Sequence, residues 1–335
     1  MIRSGLLGVL SGAVIAFGAN AAEPINMTLS GASPGGLWSV VAAGLDAALD
    51  AGIPGSSITY QTSSGGLANA ALVSQGRVPL GMVGDMELNA AVKGRGPFAG
   101  KPLENLTVLF RAYDGATTRY QMFQPIINAE YAQNNGVKTF QDIIDKQLPI
   151  RVGVNRVGNM DSDIALELME GVGLGRDKVK DFGGTVIQAS STELGGLMQD
   201  RRIDLVFTGY SFNHSTVREM ANAIPLQMLP LPEEVVRKVA ADNAGDLCTT
   251  KAGEYSWNKD VDLTTVCVGA LIVAQQDFPV ERAYDMTKAI VENIDKLQAT
   301  HRALKQVTPA MMATPSAAPM HPGSEKFFKE EGLAH

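Results

Sequence analysis

Residues 25–36 read INMTLSGASPGG, and this stretch decides the fold. Its first six residues predict a strand, and its glycines predict a tight loop that opens a helix. Such a loop points bare backbone N–H groups outward, and helix N-termini attract anions. We therefore expect Ser33, Gly35 and Gly36 to contact a ligand through their backbone. The alternative is an ordinary strand-to-helix turn.

The residues before this stretch have the pattern of an export signal. Arg3 supplies a positive start, residues 6–17 are apolar or small, and residues 19–21 form a small-x-small cleavage site. We expect residues 1–21 to be a cleaved signal peptide and the mature protein to reside in the periplasm. A membrane anchor is disfavoured because the apolar run falls short of the ~20 residues that a span needs.

The composition is that of a globular protein without a nucleic-acid partner. The chain has 335 residues, of which 45% are hydrophobic and 19% charged, and its net charge is −7. This length favours two domains, and nucleic-acid-binding proteins usually carry a basic patch. The glycine loop is not a P-loop, because no Gly-Lys-Ser/Thr closes it, and no acidic residue completes a Rossmann fingerprint. We expect no cofactor.

Histidine and cysteine usage disfavours the familiar metal and hydrolase sites. The four histidines form no set with metal-ligand spacing, and no Gly-x-Ser-x-Gly elbow occurs. We therefore expect neither a metal site nor an enzyme. Cys248 and Cys267 form an even pair, which in an oxidising compartment suggests a disulfide. Two buried free thiols are the alternative.

Predicted strands and helices alternate along the chain. A strand-helix-strand-helix pattern occurs near the start and again from Ile150, and such alternation is typical of parallel sheets. We predict an α/β fold of two lobes, each a mostly parallel sheet flanked by helices. The pattern also predicts a strand over 119–123, a β-rich run over 263–274 and a long helix over 280–304.

The lobes are expected to exchange chain segments. Lobe one would comprise residues 22–119 plus 270–335, and lobe two would comprise residues 120–269. Crossing strands near 120–125 and 266–274 would join them.

Short polar loops recur at the predicted carboxyl ends of strands, where ligands bind in open α/β sheets. Five such loops occur in the two lobes, and they share backbone N–H and hydroxyl donors, which neutralise an anion without burying a protein charge. Any one of them would fit an ordinary turn, but five at equivalent places favour a binding site. Beyond the first loop, the candidate ligand contacts are Ser63, Ser64, Gly65, Asn69, Asp85, Gly158, Asn159, Thr208 and Tyr210.

Several candidates have structural alternatives. Asn69 would either contact the ligand or pin its loop, or it would be a residue of the helix start that faces water. Asp85 is a favoured helix N-cap residue, and its alternative role is to pair with the α-ammonium group of an amino-acid ligand. Arg119, near a proposed crossing, would either grip a carboxylate with its planar guanidinium or lie solvated on the surface. Trp38 would line the cleft or belong to the core.

These and other segments carry a resemblance to a known family. The segment MHPGSEKFFKEEG at 320–332 is similar to the ending of the TAXI proteins, the solute-binding proteins of TRAP transporters, in which His-Pro-Gly-Ala precedes aromatic residues and Glu-x-Gly. Residues 67–76, 152–174 and 201–204 resemble further TAXI segments. The resemblance extends over nearly the whole mature chain.

The resemblance implies the fold of a type II-like periplasmic binding protein and a function in transport. Such a protein, a monomer, would close on a small organic anion, either a glutamate-like amino acid or a small dicarboxylate. It would then deliver this ligand to a TRAP-type membrane permease. Two alternatives stay open: a binding protein for another transporter or a sensor kinase, and a periplasmic enzyme that uses an unmarked carboxylate.

The chain departs from the TAXI pattern at loop positions. Gly66 and Val157 stand where serine is usual, and Ala68 stands where glutamate is usual. These departures put the usual ligand in doubt but leave the fold unaffected. Arg156 is charged at a position that is not normally charged. Our hypothesis is that its guanidinium compensates for the lost hydroxyls and favours an acidic ligand.

Overall fold

The computed structural model describes residues 23–32, 36–157 and 159–333, so the expected signal peptide lies outside the described residues. The strands are β1 (Asn26–Ser30), β2 (Ser57–Gln61), β3 (Leu80–Gly84), β4 (Leu106–Tyr113), β5 (Met122–Asn128), β6 (Arg151–Val154), β7 (Thr185–Gln188), β8 (Leu205–Tyr210), β9 (Leu226–Met228), β10 (Asp246–Thr250), β11 (Leu263–Cys267) and β12 (Ala270–Gln275).

The helices are α1 (Leu37–Gly52), α2 (Gly66–Ser74), α3 (Asp85–Val92), α4 (Gly115–Thr118), α5 (Ala129–Asn135), α6 (Phe140–Asp145), α7 (Met160–Gly171), α8 (Arg176–Asp181), α9 (Ser191–Gln199), α10 (Ser215–Ala223), α11 (Glu233–Asn243), α12 (Val280–Glu292), α13 (Ile294–Thr300), α14 (Pro309–Met312) and α15 (Pro322–Glu330). None of these helices combines the length and the apolar character that crossing a membrane requires.

The strands form two sheets. The first has the order β2-β1-β3-β12-β4, and the second has the order β10-β11-β5-β8-β6-β7, with β9 also paired to β5. We call the first sheet with its packed helices lobe one and the second lobe two. In each sheet three neighbouring strands run parallel, and the next strand, β12 or β5, runs antiparallel to them.

The sheets are therefore mixed, whereas the sequence predicted mostly parallel sheets. The difference arises because β12 and β5 each enter a sheet directly from the other lobe. Neither strand is reached through a crossover helix, which parallel neighbours require. In lobe two, β10 and β11 add a further antiparallel pair.

Helices cover both faces of the central strand β3 and of β4, which ends the sheet opposite β2. All residues of β3 and of β4 are buried, which is the pattern of a strand packed on both faces. By contrast, the edge strand β2 exposes part of its length. In α1, the buried side chains recur at helical spacing and pack against lobe one. This rigid packing fixes the positions of the loops at the strand ends.

The chain crosses between the lobes at two places, residues 114–121 and residues 268–269. The two crossings touch: the Val268 N–H donates to the Gln121 carbonyl at 3.1 Å. A Cβ on Gly115 would lie 2.7 Å from the Val268 backbone nitrogen, so the close approach requires glycine there. Two short, mutually bonded segments thus join the lobes.

The elements around the two crossings differ from those predicted. The β-rich run over 263–274 divides into two strands that belong to different lobes. The strand predicted over 119–123 begins only at Met122. Arg119 has a φ of 48° at the end of α4 and is therefore not extended.

A disulfide joins Cys248 of β10 to Cys267 of β11, and their Cα atoms are 6.0 Å apart. Both half-cystines pack against Met122, the first residue of β5. The disulfide therefore links β10 to the end of β11, directly before the second crossing.

We predict that replacing both cysteines, Cys248→Ser with Cys267→Ser, lowers the free energy of unfolding by about 3 kcal/mol, because the bond closes a loop of moderate length in the unfolded chain. Urea unfolding followed by circular dichroism measures this. Reductant should destabilise the wild type and leave the double variant unchanged. Equal urea midpoints for the wild type and the variant would contradict the prediction.

Candidate functional site

A cavity of about 450 Å³ lies between the lobes at the carboxyl ends of the parallel strands. This volume is common for small-molecule sites. We call it the inner cavity. Lobe one contributes the starts of α1, α2 and α3, lobe two contributes the start of α7 with residues that follow β6, and the crossings contribute Tyr120, Gln121 and Val268. A molecule bound here would touch both lobes.

Asn69 pins the loops on the lobe-one side of the cavity. Its amide nitrogen donates to the carbonyls of Gly31 and Met82, both at 2.7 Å. Its oxygen accepts from the hydroxyls of Ser30, at 2.7 Å, and Ser63, at 2.6 Å. The full hydrogen-bonding capacity of the side chain is used, and the side chain is buried. Asn69 therefore holds the wall without lining it.

Two glycines shape the start of α2. Gly65 has a φ of 114°, which side chains rarely adopt. A Cβ on Gly66 would overlap the carboxylate of Glu87. This overlap explains the glycine at a position where the TAXI pattern has serine. Together with Ser64, both glycines line the inner cavity.

Glu87 brings a carboxylate to the cavity from lobe one. It lies in the first turn of α3 and accepts a hydrogen bond from the Gly84 N–H at 2.9 Å. Burial raises the pKa of Glu87, and the N–H groups of Gly84, Gly66 and Leu67 partly oppose that rise. The Glu87 carboxylate therefore accepts hydrogen bonds from N–H groups at the starts of α2 and α3. We had expected an anionic ligand to occupy this place.

Asp161 brings a second carboxylate from lobe two. It lies in the first turn of α7 and accepts hydrogen bonds from the side-chain amides of Gln121 and Asn155, the latter at 3.2 Å. Burial raises the pKa of Asp161 to about 7, and the nearby charge of Glu87 adds to the rise, while the Gln121 amide opposes it. Near neutral pH the carboxyl group therefore exchanges readily between its charged and neutral forms.

Aromatic side chains form the apolar part of the wall, among them Trp38, Tyr120 and Phe123. The Trp38 indole N–H donates to the Tyr113 hydroxyl at 2.8 Å, and the Leu37 N–H donates to the Tyr120 hydroxyl at 3.3 Å. These bonds hold the first turn of α1 against the end of β4 and the first crossing. The rings of Trp38, Tyr120 and Phe123 offer a flat surface to the apolar part of a ligand.

The charged side chains of the inner cavity are acidic. Among the described residues that line it, two are carboxylic acids and none is a lysine, arginine or histidine. No group of His, Cys, Asp and Glu within the described ranges could hold a metal ion. Among the described residues, the starts of α1 and α2 both lack a capping side chain and an acid in the first turn. The Glu87 carboxylate accepts from N–H groups at the start of α2, and the Tyr120 hydroxyl accepts from the Leu37 N–H at the start of α1.

An outer groove of about 480 Å³ continues the inner cavity and shares Ser64, Glu87, Asn159 and Met160 with it. Arg156 lines this groove only. Its guanidinium is largely exposed and forms an ion pair with Glu193 at 3.1 Å. Arg156 therefore lies at the mouth of the cleft, and the hypothesis that it replaces lost hydroxyls within the site finds no support in this position.

Nine of the fourteen sequence-predicted site residues fall into three groups. Gly36, Ser64, Gly65 and Asn159 line the inner cavity, and Asn159 also caps α7 through its side chain. The supporting residues are Ser63 and Asn69, which hold the loops. Those that lie outside the described residues are Ser33, Gly35 and Gly158.

Asp85 and Arg119 do not line the inner cavity, because other residues engage them. The Asp85 carboxylate forms a buried ion pair with Arg111 at 2.6 Å, and Gly84, not Asp85, is the N-cap of α3. Arg119 pairs with Glu254 at 2.9 Å and lies over the ring of Phe212. Neither side chain is free to hold a ligand in the cavity.

Thr208 and Tyr210 lie behind the wall and are buried. The Thr208 hydroxyl accepts a hydrogen bond from Asn155 at 3.3 Å, and the Tyr210 hydroxyl donates to the Ser191 carbonyl at 2.8 Å. Both support Asn155 and Ser191, which line the cavity.

Sequence reasoning missed Glu87, Asp161, Gln121 and Asn155. The available signal was an acid within the first turn of a helix that follows a strand, in Met86-Glu87 and again in Met160-Asp161. Acids at helix starts usually serve as caps, so the pattern did not stand out. For Gln121 and Asn155, the sequence carried no comparable signal.

We predict that Asn69→Ala lowers the free energy of unfolding by at least about 3 kcal/mol, because two carbonyls and two hydroxyls lose their buried partner. Urea unfolding measures the change. As a matched control, Asn26→Ala removes one exposed hydrogen bond from Ser57 and should change stability by less than about 1 kcal/mol. Equal effects of the two substitutions would refute the role of Asn69.

A second prediction concerns pH. The folded state keeps the Asp161 proton up to a pKa of about 7, whereas the unfolded chain releases it near the ordinary value of 3.8. Stability therefore falls as pH rises through this window, by at most about 4 kcal/mol. Asp161→Asn should remove this fall, as urea unfolding at pH 4.5, 6 and 8 would show. A constant stability difference between wild type and variant across these values would contradict it.

Comparisons with known proteins agree with this architecture. The structure is similar to that of the periplasmic binding protein BugD, with a TM-score of 0.50 and 12% identity over 93% of this chain and 98% of that one. It is also similar to MatC from Rhodopseudomonas palustris with bound malate, with a TM-score of 0.50 and 14% identity over 86% and 91% of the two chains.

These likenesses confirm the predicted two-lobed α/β fold and show it to be that of periplasmic binding proteins. The TAXI family itself stays a resemblance of sequence segments. Residues 29–332 match the family model described as NMT1-like. The chain therefore belongs to the NMT1-like family.

Proposed function

We propose that the protein is a periplasmic solute-binding protein that holds one small molecule in the inner cavity and passes it to a membrane transporter. The observation that carries this proposal is the composition of the cavity wall. Both lobes and both crossings contribute to it, so a bound solute would touch every part that must move when the lobes close.

The double crossing suits a hinge. Residues 114–121 and 268–269 are short, and the Val268 N–H bond to Gln121 keeps them side by side. A solute that contacts both lobes stabilises the closed form over the open form by its extra contacts in the closed form. A transporter could then distinguish the loaded protein from the empty one by its shape. This cycle involves capture and release without bond chemistry.

The sequence resemblance favours a TRAP-type permease as the partner and a small organic anion as the ligand. MatC is a precedent, because it binds malate. One feature supports an anion here: the start of α1 lines the cavity and has no acid in its first turn. The carboxylates of Glu87 and Asp161 count against a ligand with two negative groups, because like charges repel within a poorly solvated site.

The proposal predicts that solute binding changes the fluorescence of Trp38, which lines the cavity. The second tryptophan, Trp257, stacks on Tyr255 away from the cavity and serves as the matched control. A thermal-shift screen of amino acids, amines and di-acids would first select a binder. Titration of that binder should change the fluorescence of the wild type and of Trp257→Phe, but not of Trp38→Phe.

The reverse pattern, with the signal lost only in Trp257→Phe, would place the solute elsewhere. Failure of every screened solute to raise the melting temperature would count against the solute-binding function.

A further inference from the structure

The two carboxylates of the inner cavity come from different lobes. Glu87 projects from α3 of lobe one and Asp161 from α7 of lobe two, and both line the same cavity. Closing the lobes around a solute would bring these side chains closer to it and to each other. The charge of the solute at this place therefore decides whether closure is favoured.

The protein hydrogen-bonds these acids but does not neutralise them. Glu87 is held by backbone N–H groups, and Asp161 is held by the neutral amides of Gln121 and Asn155. Arg156 lines the outer groove, not the inner cavity, and is paired with Glu193. A buried negative charge without a counter-charge is costly, so the cavity offers a place for a positive group.

The raised pKa values of both acids reflect the free-energy cost of holding a negative charge here. Burial raises the pKa of Glu87, and burial together with the charge of Glu87 raises the pKa of Asp161 to about 7. A cation at this position would reverse the penalty, because an opposite charge favours the ionised form of each acid. It would also convert repulsion between the two lobes into attraction of both lobes to the ligand.

We propose that the solute carries a nitrogen cation (an ammonium, an amidinium or a protonated ring nitrogen) that binds against Glu87 and Asp161 and selects for basic or zwitterionic solutes. The apolar part of the solute lies against Trp38 and Tyr120, where a cation near the rings is further stabilised. This inference rests on the proposed solute-binding function and narrows its ligand class.

The same wall disfavours a dicarboxylate. One carboxylate can be held at the start of α1, which has no acid in its first turn, so a zwitterion with one carboxylate and one ammonium group fits. A second carboxylate would find no lysine, arginine or histidine among the described lining residues. It would instead face Glu87 or Asp161.

Matched pairs of probes directly test the sign of the charge that the ligand carries. Putrescine and adipate share a four-carbon spacer, and phenethylamine and 3-phenylpropionate share a phenylethyl group, so each pair differs in the charged group. At pH 7.5 and low salt we expect each amine to raise the melting temperature and to bind at least tenfold more tightly than its acid partner. Isothermal calorimetry supplies the Kd values.

Two variants locate the effect. Glu87→Gln and Asp161→Asn should each weaken amine binding at least tenfold, whereas Glu104→Gln, which removes an exposed acid outside the cavity, should leave it unchanged. Circular dichroism and the melting temperature without ligand establish that each variant folds. If Glu87→Gln does not fold, Asp161→Asn and the wild-type ranking of the probe pairs still decide the question.

Proton exchange provides an independent readout in the wild type. The titratable groups that face Asp161 are Glu87 and Tyr210, and Tyr210 is bonded to the Ser191 carbonyl. A bound cation lowers the pKa of both acids, so amine binding at pH 7 should release protons. The difference between the calorimetric binding enthalpies in phosphate and Tris buffers shows whether protons are released or taken up. Proton uptake on amine binding would contradict the proposal.

The outcomes separate this inference from the function on which it rests. Tighter binding of the acids than of the amines would overturn the inference and leave a solute-binding protein. Equal affinity of the wild type and Asp161→Asn for an amine would also overturn it. Binding of none of the four probes would overturn the inference, and the broader solute screen would then decide on the function.

Discussion

The carboxylate of Glu87 fixes the lobe-one wall of the cleft. It accepts the N–H of Gly84 at the start of α3 and faces the N–H groups of Gly66 and Leu67 at the start of α2. One partly buried acid thus joins two helix starts that would otherwise need a ligand or water. Gly66 must lack a Cβ for the carboxylate to fit. The polarity of the cleft follows, because an internal anion already occupies the place where an external one would bind.

The lobe-two wall repeats this use of an acid. Asp161 lies in the first turn of α7 and is oriented by Gln121, which belongs to a crossing segment. The hydrogen bond therefore links the charge of the cleft to one of the two segments that join the lobes. A change in the ionisation of Asp161 would act directly on the segment that joins the lobes, which gives a physical route from ligand charge to closure.

Local patterns in the sequence were sufficient to predict the two-lobed fold. Buried runs such as Leu80–Gly84 mark central strands, and polar loops after them mark the cleft. The helix predicted over 280–304 is interrupted at Asn293, where the side-chain amide donates to the Ala289 carbonyl. The apolar pattern continues across this position, so the sequence did not reveal the interruption. The antiparallel entry of β12 depends on contacts between distant segments.

The site was less predictable than the fold. Loops near Gly65 and Asn159 were found because glycine and asparagine have local roles that sequence shows. By contrast, Asp85 pairs with Arg111 and does not line the inner cavity, and Glu87 and Asp161 stand out only because the fold places them in one cavity. Partners separated by 26 or more positions, as in Asp85 and Arg111, leave no local pattern.

The most direct test of the account is a crystal structure of the protein with putrescine bound. The account predicts a single ligand in the inner cavity, with an ammonium nitrogen about 3 Å from a carboxylate oxygen of Glu87 or Asp161. Density confined to the outer groove beside Arg156, or a bound molecule that touches neither acid, would contradict it.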